Sequence, residues 1–82
     1  MLQSLVWNRA EKLYIFAEAV YETDHVYERR YLARLNERDE AKQVAADRKL
    51  ASAAAVFHAV RAAYRREAEE MLALIRQAQQ AA

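Results

Sequence analysis

Not one glycine or proline interrupts this 82-residue chain. An ordinary sequence of that length holds about ten of the two together. Without glycine the backbone loses its easy access to positive φ, and without proline it loses the fixed φ that sets many turns. Strand hairpins need such turns every few residues, so the expected fold class is all-α with very few bends. Cysteine is absent as well. That removes disulfides and thiolate metal sites, and it suits a cytoplasmic setting.

The bend has one strong candidate. Asn36-Glu37-Arg38-Asp39-Glu40 is the longest uninterrupted polar run, and Asn36 or Asp39 can cap a new helix there. The chain therefore reads as a single domain, 1–82, folded as a long antiparallel helical hairpin with its bend near 36–39. Helix 1 covers about 2–35 and helix 2 about 39–80. The alternative is a three-helix bundle broken at Thr23-Asp24, and Asp47 is a third candidate cap. Apolar spacing runs through both places with little loss of phase, which favours one bend.

Projection at 100° per residue gathers Leu2, Val6, Ala10, Leu13, Tyr14, Ala17, Val20, Tyr21, Tyr31, Leu32 and Leu35 on one face of the first helix. On the second helix it gathers Ala46, Leu50, Ala53, Phe57, Val60, Tyr64, Met71, Leu74, Ile75 and Ala78. Within that set Leu50, Phe57, Tyr64, Met71 and Ala78 recur every seven residues, the spacing of long packed helices. A bend near 37 then sets Ala17 opposite Phe57 and His58, Ala10 opposite Tyr64, and Tyr21 opposite Ala53 and Ala54. Large residues meet small ones, as interdigitation requires.

Glu22-Thr23-Asp24-His25 raises a chemical question, because E-x-x-H is the ligand spacing of carboxylate-bridged metal sites in helical bundles. Glu18, Glu22 and His25 are the candidate ligands. They project along a charged flank with Glu11 and Arg29, away from the centre of the apolar face. A di-metal site needs inward ligands and further glutamates from the facing helix, where the matching level offers only Asp47. A solvated flank is the preferred reading, and no metal or cofactor is expected.

The charges that do break the apolar faces are Asp24 and Glu28 on the first helix, with Lys49 and Glu67 on the second. At the expected level Lys49 falls between Asp24 and Glu28, and Glu67 falls opposite Asn8 and Arg9. Asp24, Glu28, Lys49, Arg9 and Glu67 thus form an expected buried polar layer, of the kind that selects register and oligomeric state. Catalysis by the Asp24 and Glu28 carboxylates lacks a pocket. There is no P-loop and no nucleophile–base pair, so the chain is expected not to be an enzyme.

The first helix carries more apolar surface than one partner can cover. Leu5, Ile15, Phe16, Val26 and Tyr27 lie outside its main face or at its edge, widening the apolar arc well past the ~100° that one contact needs. The second helix adds a row of small residues, Ala51, Ala55, Ala59 and Ala62, opposite its seam. Two hairpins joined as a four-helix bundle would bury these surfaces. The expected partner is therefore a second copy, as a homodimer or higher homo-oligomer, with another helical protein as the alternative. Tyr14, Tyr21, Tyr27, Tyr31 and Tyr64 then read as core and interface residues, and Trp7 as an end plug of the bundle.

Function follows by class. The leading expectation is a non-catalytic structural or protein-interaction module, a self-associating hairpin. A designed bundle belongs to the same class, and the ten arginines, abundant alanine and missing glycine fit either a designed or a natural origin. The alternative is a small RNA-binding regulator. In inferred architecture alone, without a shared motif, the chain is similar to small plasmid RNA-binding proteins built as dimers of helical hairpins. Against it, 13 basic and 12 acidic residues leave a net charge of only +1, and Arg29-Arg30 and Arg65-Arg66 are interleaved with acids rather than gathered in a basic stripe. The N-terminal MLQSLVWNRAEKLY has no basic stretch followed by a long apolar run, so no signal peptide is expected, and no run reaches the length of a membrane span.

Overall fold

A computed structural model describes the backbone of residues 2–81 and the side chains of residues 7–81. Two helices make up the fold. The first, α1, runs Leu2–Asn36, and the second, α2, runs Glu40–Ala81. They lie side by side in a rod of 63 × 14 × 13 Å. The 42 residues of α2 at about 1.5 Å each account for the full length of the rod. Its radius of gyration is 18.4 Å, against about 12 Å for a compact domain of this length.

The three residues 37–39 reverse the chain without any left-handed conformation, since no described residue has positive φ. Asp39 does the main work. Its Oδ1 accepts from the backbone N–H groups of Ala41 at 2.9 Å and Lys42 at 3.3 Å, the N-cap arrangement. On the other side the Glu37 N–H donates to the Arg34 carbonyl, tightening the last turn of α1. The Gln43 side-chain amide donates to the Glu37 carbonyl at 2.9 Å and ties the two sides together. Side chains here satisfy the helix ends that glycine would otherwise serve.

At Thr23-Asp24 α1 continues unbroken, so the three-helix alternative is set aside. The Thr23 hydroxyl donates to the carbonyls of Ala19 and Val20, at 2.7 and 3.1 Å. Spending its hydroxyl on the preceding turn lets this polar residue sit inside a helix. Asp47 likewise lies within α2.

The face expected on α2 is the one that packs: Ala46, Leu50, Ala53, Phe57, Val60, Tyr64, Met71, Leu74, Ile75 and Ala78 are all half-buried. On α1 the expectation needs correction. Ala10, Leu13, Ala17 and Val20 are half-buried, but Tyr14, Tyr21, Tyr31, Leu32 and Leu35 are exposed. Their places toward α2 are taken by Arg9, Phe16, Thr23, Tyr27 and Arg34. Arg9, Leu13, Phe16, Val20, Thr23 and Tyr27 alternate steps of four and three, the spacing of a helix wrapped around a partner. A straight projection drifts by about 20° per heptad from that path. It also averaged the two apolar stripes of α1 into one. The side chains of Leu2, Leu5 and Val6 lie outside the described residues.

Phe57 was expected against Ala17, yet its ring stacks at a tilt on Tyr27, with centroids 5.9 Å apart. Helical side chains lean toward their own N-terminus. In an antiparallel pair that brings Tyr27 and Phe57 toward each other from different levels. Among the described residues no helix is long and apolar enough to cross a membrane.

Candidate interaction surface

The hairpin covers little of its own apolar surface. Among the described residues no apolar side chain is fully buried, and the one buried residue is a glutamate, Glu67, at 8% exposure. The large exposed side chains concentrate on α1. Trp7 is 70% exposed, Tyr14 65% and Tyr21 67%, and with Leu35 they fall at seven-residue intervals interrupted once, by Glu28. They form a stripe along an exposed flank of α1, beside the half-buried Ala10 and Ala17. Near its N-terminal end Trp7, Ala10, Glu11, Tyr14 and Ile15 line a shallow apolar hollow of about 420 Å³.

Polar groups fix this stripe at its middle. His25 stands edge-on to Tyr21, with ring centroids 4.3 Å apart. Glu18 sits one turn after Tyr14 and pushes the phenol above its ordinary value, first through hydrogen bonding and then through its negative charge. The expected metal candidates Glu18, Glu22 and His25 are all exposed on α1. Among the described residues no group of three or more His, Cys, Asp or Glu side chains is placed to hold a metal ion.

The expected polar layer divides in two. Arg9 pairs with Glu67 across the helices, and it reaches Glu70 as well. Lys12 stands 3.8 Å from the same Glu67 carboxylate. The hydrogen bond to Glu67 is the largest influence on Arg9 and raises its pKa, while burial acts in the opposite direction. Lys49 and Glu28 are exposed and Asp24 is half-buried. Among the described residues no ion pair joins Lys49 to either acid. Lys49 instead lines an open hollow near the bend with Arg30, Glu37 and Lys42. A long flexible stem lets a flanking lysine carry its charge to solvent. A pair that sequence reading passed over is Arg34 with Asp47. From the sequence Asp47 reads only as a candidate cap and as the one acid at the level of the E-x-x-H, and the seven-residue spacing from Tyr27 to Arg34 is the signal that places Arg34 toward α2.

Arg9→Met should leave Glu67 with only Lys12 for charge compensation. Leaving a buried acceptor short of its partner costs roughly 1–3 kcal/mol, and Lys12 holds the loss near the lower end. Chemical denaturation should show this, whereas Glu67→Leu, which completes the apolar seam, should equal or exceed the parent in stability. A silent Arg9→Met would mean that the pair is solvated.

No family model matches the chain, and no curated protein or solved structure does so either. Among the described residues the stripe offers aromatic and aliphatic area flanked by carboxylates.

Proposed function

We propose that the chain is a non-catalytic structural and protein-interaction module, a helical hairpin that completes its core by pairing with a second copy as a four-helix bundle. The observation that carries this reading is the Trp7–Tyr14–Tyr21–Leu35 stripe, exposed on a hairpin that fully buries no described apolar side chain. On soluble proteins large exposed apolar patches rimmed by polar residues mark interaction sites. Two helices make one thin contact, and a second hairpin supplies the missing layer.

Melting at several protein concentrations tests the proposal. When folding and association are coupled, a hundredfold rise in concentration is worth about 2.7 kcal/mol, so Tm should climb by several degrees. A Tm independent of concentration argues for a self-sufficient monomer. Added zinc, iron or chelator should leave Tm unchanged, and generic RNA should bind no tighter than roughly 10⁻⁴ to 10⁻⁶ M at physiological salt. Sub-micromolar binding selective for RNA hairpins would replace this reading with that of an RNA-binding regulator.

A further inference from the structure

We propose that the second copy covers the outer stripe of α1 with its own α1, running antiparallel about a twofold axis beside Tyr21. This rests on the self-association just proposed and goes further, naming the face, the direction and the level of contact.

Spacing sets the level. Trp7, Tyr14, Tyr21, Glu28 and Leu35 share one line along α1, seven residues apart, and Tyr21 is the middle one. An antiparallel copy centred there meets Tyr21 with its own Tyr21, Trp7 with Leu35, and Tyr14 with Glu28. In antiparallel helix pairs, residues on a given flank face the same flank of the partner. Glu18 then falls beside the partner's copy of His25, and Ala10 beside the copy of Tyr31, small against large. The carboxylate that interrupts the stripe thus meets the Tyr14 phenol and not a second carboxylate.

Charge sets the direction. A parallel copy would stack Glu28 on Glu28 within the apolar stripe, and desolvated like charges oppose association. The antiparallel arrangement separates those carboxylates by about two heptads, roughly 21 Å along the helix. The acids Glu11, Glu18, Glu22 and Glu28 around the stripe also repel nucleic acid, which leaves a protein helix as the fitting occupant.

Area sets the occupant. The chain exposes 6645 Å², whereas a compact monomer of its 9.5 kDa mass would expose about 5,000 Å². The excess is roughly twice the ~800 Å² that each partner gives up in a standard interface. A second copy presenting the same stripe can cover about half of that excess in an interface of standard size.

The natural absence of cysteine makes single-thiol crosslinking a clean test. The variants Trp7→Cys, Tyr21→Cys and Leu35→Cys are treated with a short thiol-reactive crosslinker, and mass is measured on each uncrosslinked sample. The expected result is that Tyr21→Cys links to itself and that Trp7→Cys links to Leu35→Cys only when the two are mixed. Glu18→Cys mixed with His25→Cys should link as well, and that pair leaves every apolar side chain of the stripe in place should Tyr21→Cys weaken association. Self-linking of Trp7→Cys and Leu35→Cys alone would show a parallel pair and overturn the proposal. A dimeric mass with no linking at any of these positions would place the contact on another face, overturning this inference while leaving self-association intact. A monomeric mass for the parent chain would overturn both.

Discussion

Replacing Trp7, Tyr14 and Leu35 together by glutamine should convert the proposed dimer to a monomer and strip it of most of its cooperative stability. All three are at least 62% exposed on the hairpin, so the substitutions remove little contact between α1 and α2. Full burial of a large apolar side chain is worth about 1.5–3 kcal/mol. Six such side chains per dimer, each about half covered at an interface, sum to roughly 5–9 kcal/mol. A loss of that size takes a typical small protein to the edge of unfolding. Light scattering should report halved mass, and the melt should become broad and independent of concentration. An unchanged mass with an unchanged melt would show that this stripe is ordinary exposed surface.

Within the hairpin, Phe57→Ala should be the most costly single truncation. Phe57 sits in the seven-residue seam of α2, with its ring tilted against Tyr27 at 5.9 Å and the His58 ring 5.6 Å away. Phe-to-Ala changes in full cores cost about 3–5 kcal/mol. Phe57 is half-buried, so roughly 2–3 kcal/mol is expected here, including the aromatic pair. Phe57→Leu should recover more than half of it. The neighbouring Val56 is 53% exposed, and Val56→Ala should stay within about 0.5 kcal/mol. Equal effects at 56 and 57 would mean that α2 is rotated from the described orientation.

Why was α2 legible and α1 not? Outside its seam α2 carries mostly polar residues and alanine, with Val44, Val56 and Leu72 scattered among them, so only one line of large apolar residues exists for a projection to find. On α1 two lines run side by side. Leu13 and Val20 belong to the contact with α2, and Tyr14 and Tyr21, one residue on, belong to the outer stripe. A projection averages them and points between. The bend could be read because Asp39 is a strong N-cap whose carboxylate satisfies the opening N–H groups of α2. That also explains how the chain turns without glycine.

Among the polar residues the same distinction holds. Arg9 meets Glu67 because both lie on the seam at one level, where geometry leaves little choice. Lys49 and Glu28 lie on the flanks, where a level computed from the bend does not decide whether two side chains turn toward each other. The aromatic contact of Tyr27 with Phe57 depends on the lean of long side chains along antiparallel helices, which residue spacing alone does not convey.

In the proposed assembly one chain is half of a core. Sedimentation equilibrium of the unmodified chain measures this most directly, at micromolar concentration and physiological salt. The account predicts a mass of twice 9.5 kDa, with dissociation on dilution accompanied by loss of helicity. A mass of 9.5 kDa for a chain that stays helical and melts cooperatively would contradict it.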